Sequence, residues 1–414
     1  MHITILLHKL RGGGVQRSLL HLAHAFVAQG HNVDLVVLRD AGPGTHGLPE
    51  GVQVRYLPAR STRAGRWAVR RAAPEDADVL RAPVLNALVA PWPIRHLDSL
   101  AAYLREAEPD VLYAAGPYQN LIALWARDLA GVLTKVVGSE RIGFPHFQRP
   151  LKRTQARWRH LAPLVRRFYP RLDAVVAVSQ DVAHQLCRET SLPESTVTPI
   201  YNPVVSPRIE TWAGEGIDHP WFAADRDRPV ILGVGRLGES KDFATLLRAF
   251  ARVRRARAAR LVLLGEGPHR PLLRLLARRL GIAADLDLPG WAANPYAYYA
   301  RADLFVLSSR AEGLPNALLE AMACGCPVVS TDCHSGPREI LDGGRYAPLV
   351  PVGDAAALAE AMSRSLDAPP DGTALQARAG MFSMARSAEA HLALFARLTG
   401  RPAPSTPLSA SESA

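Results

Sequence analysis

Val230–Asp242 reads VILGVGRLGESKD, an apolar run that ends in a glycine-spaced turn. An amphipathic pattern, Phe243–Arg255, follows it. A short continuous Val/Ile/Leu run is the signature of a strand covered on both faces, so this is one βα unit of a parallel sheet. The chain opens in the same way. Met1–Arg17 reads MHITILLHKLRGGGVQR, and Val15–Gln29 continues with an apolar stripe of Leu19, Leu20, Leu22, Ala23 and Phe26.

Working outward from these two turns gives two βα series. The first has expected strands at His2–Leu7, Asn32–Leu38, Val52–Leu57, Asp110–Ala115, Lys135–Ser139 and Ala174–Ser179, with a helix at Gln180–Arg188. The second has strands at Val230–Val234, Arg260–Leu264, Leu286–Leu288, Asp303–Ser308 and Pro327–Thr331. Its helices are expected at Phe243–Arg255, Arg270–Leu280, Pro315–Ala323 and Ala355–Leu366. The expectation is α/β: two Rossmann-like, doubly wound domains facing a central cleft, the first 1–206 and the second 230–375. Residues 207–229, rich in Pro and Gly, read as a linker. Residues 376–400 carry a last helix that packs back on the first domain, and the Pro/Ser/Ala-rich 401–414 read as a disordered tail.

Composition bounds the function. A chain of 414 residues exceeds one ordinary core. Apolar residues at 48% and charged residues at 21% exclude a disordered chain. No apolar stretch reaches membrane-spanning length, and MHITILL lacks the basic head and cleavage site of a secretory signal. Cys187, Cys324, Cys326 and Cys333 do not form a disulfide framework, so a cytosolic location is expected. Cys324, Cys326, Cys333 and His334 lack the spacing of a zinc knuckle, and no metal site is expected. The net charge is +11, and of 49 basic residues only Lys9, Lys135, Lys152 and Lys241 are lysines. A lysine kept in so arginine-rich a chain points to a chemical requirement.

Ligands of open α/β sheets bind at the carboxyl ends of strands, so the strand-to-helix turns carry the chemistry. Gly12–Gly14 permit positive φ and close backbone approach, ahead of a helix N terminus suited to an anion. Gly233–Gly238 is literally GxGxxG, but the acid that a dinucleotide site wants about twenty residues on is absent, and Glu266 comes late. Arg236 and Lys241 instead offer a fork and a point cation for one diphosphate. In Glu312–Gly325, EGLPNALLEAMACG, two carboxylates flank a helix start with Pro315 at its head and Gly325 at its stop. A dipole's positive end between two acids fits a ligand with hydroxyls at its ends and phosphates in its middle.

The Glu-x7-Glu spacing, the Gly-Arg-Leu…Lys-Asp turn, the Gly-Gly-Gly-Val-Gln-Arg loop, and Gly336–Leu341 followed by Val350–Asp354 together resemble a family 4 retaining glycosyltransferase of the GT-B fold. The resemblance implies that Arg236 and Lys241 hold the donor's diphosphate, and Arg236 and Glu312 are taken as catalytic. Glu320 would take the ribose, Glu312 the donor sugar, and Gly313, Leu314, Pro315 and Asn316 would give backbone contacts. Gly290 and Trp291 would lie near the base, and Gly13 and Gly14 near the phosphates. It further implies a reaction without metal or cofactor, so the Asp-x-Asp matches at 285–287 and 225–227 are decoys.

The acceptor side departs from the family's pattern, which places a histidine at the end of the Lys135–Ser139 strand. Here Glu140, Arg141 and His146 follow, and Glu140 is the expected base, with Arg141 equally able to neutralise it. Arg17, Glu140, Arg141 and His146 are the expected acceptor residues. Residues 149–171 hold eight Lys/Arg and no acid with aromatic and aliphatic residues interleaved, and Arg60–Arg71 adds five arginines. Both fit an anionic membrane surface, and nucleic acid is not expected. The function expected is hexose or N-acetylhexosamine transfer from a nucleotide-sugar, first guess UDP, to a lipid-linked saccharide or other glycan at the inner membrane face. The alternatives are an inactive GT-B protein that binds lipid or glycan, and a nicotinamide-dependent oxidoreductase.

Overall fold

The computed structural model describes residues 1–10, 13–39, 48, 50–143, 161–223 and 225–401. They form two compact units, one of residues 1–203 with the returning 384–401, the other of residues 204–383.

The first unit is built on seven parallel strands: β1 (His2–Leu7), β2 (Asn32–Val37), β3 (Val52–Tyr56), β4 (Val111–Ala115), β5 (Lys135–Glu140), β6 (Ala174–Ala177) and β7 (Val197–Pro199). Their order is β3-β2-β1-β4-β5-β6-β7. Ile3, Ile5 and Leu7 of β1 and Val33, Leu35 and Val37 of β2 meet the helix Gly14–Ala28 through Leu19, Leu22 and Phe26. The short β7 was not legible because three residues carry too little periodicity to stand out.

The second unit has six parallel strands: β8 (Val230–Val234), β9 (Arg260–Leu264), β10 (Leu286–Gly290), β11 (Leu304–Leu307), β12 (Val328–Thr331) and β13 (Leu349–Val350). Their order is β10-β9-β8-β11-β12-β13. In both sheets the first strand of the unit lies beside the fourth, and there the winding direction reverses. That switch point is where an open α/β sheet leaves room for a ligand between neighbouring turns.

Two boundaries differ from the sequence reading. Residues 207–229 are not a free linker, since they pack on the second unit. Ile209 and Phe222 are buried, Trp212 stacks on Tyr296 at 5.1 Å, and His219 Nε2 lies 3.0 Å from Asp287 Oδ2. Proline and glycine density shaped this segment's turns while its apolar residues found a core. The second unit also runs past residue 375. Leu375 of the helix Gly372–Ala379 is buried, and Gln376 donates to the Ala323 carbonyl at 3.4 Å.

The final helix, Met384–Thr399, belongs to the first unit. Phe395 meets Phe26 at 5.9 Å, and Arg401 pairs with Asp110 at 2.7 Å. His391 is enclosed with them. Its Nδ1 faces the Ser387 carbonyl at 2.7 Å and must carry the proton, so Nε2 accepts from the Tyr113 hydroxyl at 3.0 Å. Burial pulls its pKa down to about 3 and keeps the ring neutral.

Candidate functional site

The second unit's switch point joins the turn after β8 to the turn after β11. The first turn is shaped by Gly238, a short 3-10 segment Glu239–Lys241, and Asp242 in the left-handed region. Asp242 caps the helix Phe243–Ala256 by accepting from Thr245 N at 3.4 Å and Thr245 Oγ1 at 2.8 Å. The second turn is stitched to it. Arg310 N donates to the Ser240 carbonyl at 2.8 Å, Ser308 Oγ donates to the Lys241 carbonyl at 2.8 Å, and Arg310 Nε lies 2.8 Å from Asp242.

From this stitched turn Lys241 Nζ meets Glu312 Oε1 at 2.5 Å. Ser309 Oγ donates to the same oxygen at 2.6 Å. Glu312 Oε2 accepts from no side chain among the described residues. The loop after β12 supports the Glu312 backbone, with Ser335 Oγ donating to its carbonyl at 2.7 Å. Gly336, at φ +90°, packs there because a Cβ would lie 2.5 Å from Pro315 Cδ. Arg236, on the same turn as Lys241, is exposed and enters no ion pair among the described residues.

The helix Asn316–Ala323 starts one residue later than expected, with Pro315 as its cap and no side chain closing its first turn. Leu314 and Pro315 are buried against the loop, and Gly325, at φ +71°, ends the helix as anticipated. Glu320 is more enclosed than the spacing alone suggested. It is 5% exposed, and its Oε2 accepts from the Tyr299 hydroxyl at 3.1 Å. Tyr299 had no signal in the sequence beyond an aromatic on a helix.

Gly290 and Trp291 stand at the end of β10. The Gly290 carbonyl accepts from Gly265 N at 2.7 Å, and the Leu264 carbonyl accepts from Gly235 N at 2.9 Å, so three strand-end turns lie side by side. Gly265, at φ +132°, is the tightest point, since a Cβ there would sit 2.0 Å from the Gly235 carbonyl oxygen. Trp291 is 68% exposed, an aromatic face open to a ligand. Glu266, the late acid of the dinucleotide reading, is engaged by Arg270 at 2.9 Å.

The first unit's turns behave differently. Gly13 has φ −86° and nothing within 4 Å of its Cβ position, so positive φ is not what keeps a glycine there. Glu140, at the end of β5, turns inward. Its Oε1 accepts from the Tyr169 hydroxyl and, at 3.2 Å, from Asn120 Nδ2. Burial raises its pKa to about 7, against the pull of Tyr169, Asn120 and Arg141. Arg141 does not close an ion pair with it. The guanidinium donates to Asn202 Oδ1 at 2.6 Å and to the Tyr113 hydroxyl at 3.2 Å. Arg17 is half-buried on the helix that follows Gly13. His146 lies outside the described residues.

The membrane reading of residues 149–171 is corrected for the part described. Leu161, Leu164, Val165, Phe168 and Tyr169 are core residues, and Phe168 packs edge-on to Trp125 at 5.3 Å. Arg167 and Arg171 are spent on Asp76. An amphipathic stripe cannot face both a core and a bilayer. Residues 149–160 lie outside the described residues.

Comparison with known proteins now decides the family. Residues 12–206 match the family model described as Glycosyltransferase Family 4, and residues 228–368 match that described as Glycosyl transferases group 1. The chain belongs to the glycosyltransferases. A relative in Campylobacter jejuni, the N-acetylgalactosamine-N,N'-diacetylbacillosaminyl-diphospho-undecaprenol 4-alpha-N-acetylgalactosaminyltransferase, is 34% identical over 46% of this chain and 49% of its own. A lipopolysaccharide core biosynthesis glycosyltransferase of Rhizobium meliloti is 34% identical over 45% of this chain and 57% of its own. The chain thus spans about half the length of the curated relatives it matches. Among solved structures, Anabaena Alr3699/HepE in complex with UDP superposes at a TM-score of 0.70 with 18% identity, covering 96% of this chain and 100% of that one. The fold of this glycosyltransferase is GT-B, and the oxidoreductase reading of Gly233–Gly238 falls away.

Proposed function

We propose that this protein is a retaining glycosyltransferase. It moves a hexose or N-acetylhexosamine from a UDP-sugar to a lipid-linked glycan at the cytoplasmic membrane face. The observation that carries the reading is the Lys241–Glu312 pair at the second unit's switch point, with Arg236 exposed on the same turn as Lys241. The names of the relatives, one acting on a diphospho-undecaprenol saccharide and one in lipopolysaccharide core assembly, support the acceptor class. UDP in the Anabaena neighbour supports the donor class.

In this reading Lys241 and Arg236 neutralise the donor's diphosphate, and no metal is required. The bond from the anomeric carbon to the diphosphate breaks, its electron pair leaves with the phosphate oxygen, and fixed cations stabilise that charge. Glu312 Oε2 faces the sugar near the carbon that becomes electron-poor. The acceptor oxygen bonds to that carbon on the same face and passes its proton to the departing diphosphate. Gly313–Asn316 contact phosphate and sugar through their backbone, Glu320 receives the ribose, and Trp291 with Gly290 flanks the base. On the acceptor side, Gly13 and Gly14 leave room for the phosphates, and Arg17 and Arg141 hold the acceptor. Glu140, the base expected from the sequence, is enclosed by Tyr169 and Asn120 and is given no proton-transfer role in this reading.

The test is a thermal-shift series with UDP-, GDP- and ADP-sugars in the presence of EDTA. A bound donor at a hundred times its Kd adds about 2.7 kcal/mol of stability. Selective stabilisation by a UDP-sugar, with nucleotide released once a lipid-linked acceptor is added, is the expected result. Stabilisation by none of the donors would remove the reading.

A further inference from the structure

We propose that the helix Thr62–Ala72 and the adjoining turn at Ala87–Val89 form a docking surface for an anionic lipid bilayer. The helix divides cleanly by face. Gly65, Ala68, Val69 and Ala72 are buried, and Arg63, Trp67, Arg70 and Arg71 lie opposite and exposed. A Cβ at Gly65 would lie 2.6 Å from the Ile94 carbonyl oxygen, so the glycine lets the helix seat tightly on the unit behind it. The outward face is therefore a fixed platform.

Three large apolar side chains stand out from it. Trp67 is 61% exposed, Val89 81%, and Leu88 fully exposed. Arg66 joins the two elements by donating to the Ala87 carbonyl, which holds Leu88 and Val89 beside the helix. Arg71 lies over the Trp67 ring at 4.5 Å. No acid occurs from Ser61 to Ala73 or from Asn86 to Trp92.

Exposed apolar groups that cluster on a built platform mark a contact surface. The arginines choose its partner. Indole at the level of the headgroups, aliphatic tips just below, and guanidinium groups on lipid phosphates are the arrangement of an interfacial helix. Glu75 and Asp78 are exposed just past the helix, but its outward turns carry Arg63, Arg70 and Arg71, which a protein partner of apolar character would not need. The inference concerns where the protein attaches, and it stands or falls independently of the transfer chemistry.

Flotation of the full chain with vesicles tests it. Vesicles of phosphatidylcholine with one part in three phosphatidylglycerol should carry the protein, and pure phosphatidylcholine vesicles should not. Neutralising Arg63, Arg70 and Arg71 to Gln should weaken binding by roughly a hundredfold, taking about fivefold per charge. Trp67→Ser with Leu88→Ser and Val89→Ser should also release the protein while leaving the thermal shift by donor unchanged. If the parent chain fails to float, or if both variants float as it does, the proposal is wrong.

Discussion

In the second unit, turns from two strands bring Lys241 and Glu312 to 2.5 Å and leave one carboxylate oxygen open. In the first unit, which winds in the same order, the strand-end Glu140 is enclosed and takes hydrogen bonds from Tyr169 and Asn120. One topology thus presents charge outward at one sheet and folds it inward at the other. On the proposed reading the second unit holds the diphosphate of a UDP-sugar, a charge that fixed, preorganised cations stabilise. In the first unit Glu140 serves the interior, and the neighbouring Arg141 is held by Asn202 and Tyr113.

The largest effect that follows from this contrast is on rate. Glu312→Gln keeps the shape and removes the charge, and should lower kcat by about a thousandfold, the scale seen when one transition-state group is lost. Lys241→Ala should cost about a hundredfold, and the double variant should cost less than the two factors multiplied, because each residue acts through the other. Nucleotide release measured at saturating donor checks this. Full additivity would mean that the pair does not work as a unit.

The next effect sets glycine against glycine. Gly265→Ala would drive a Cβ to 2.0 Å from the Gly235 carbonyl at a φ of +132°. It should destabilise the protein by about 3 kcal/mol or more and weaken donor binding, since Gly235 precedes Arg236. Gly13→Ala meets nothing within 4 Å, and its stability should stay within about 0.5 kcal/mol of the parent. Denaturant midpoints separate the two. An equal loss at both would contradict the claim that close backbone approach fixes the glycine after β9 and not the one before the first helix.

Much of this was legible in the sequence because burial writes itself into parallel strands. Runs such as Val230–Val234 and His2–Leu7 are apolar throughout, and the glycine turns after them mark the strand ends. Lys241 stood out as a rare lysine among arginines, and Glu312 by its place before a helix start. What escaped notice was tertiary. Nothing local says that Glu140 points inward, because that depends on Tyr169 arriving from 29 residues away. Proline-rich Pro207–Pro229 looked like a linker, since Ile209, Trp212 and Phe222 are too widely spaced to form a period. The helix around Trp67 was legible as basic, but its exposed ring was not, because exposure depends on which face Gly65 seats.

The smallest effect is the most diagnostic of the first unit. Burial lifts the Glu140 carboxyl from 4.5 to about 7, whereas the same group in the unfolded chain ionises near 4.5. Between those values the native state holds a proton that the unfolded state has released, so stability falls as pH rises through the window. The full fall is at most roughly 3 kcal/mol. Glu140→Gln cannot ionise, yet it retains a carbonyl oxygen for Tyr169 and Asn120. The stability of this variant relative to the parent should therefore improve steadily between about pH 4.5 and pH 7 and then level off. His391 titrates in the opposite sense, since below about pH 6.5 the unfolded chain takes up a proton that the buried ring refuses until about pH 3, so stability falls with falling pH, but it is common to both proteins and cancels in the difference. Guanidinium unfolding of both proteins at about pH 4.5, 6 and 8 measures the gap. A gap that does not change with pH would mean that the carboxyl is solvated, and that the first unit's strand end is as open as the second's.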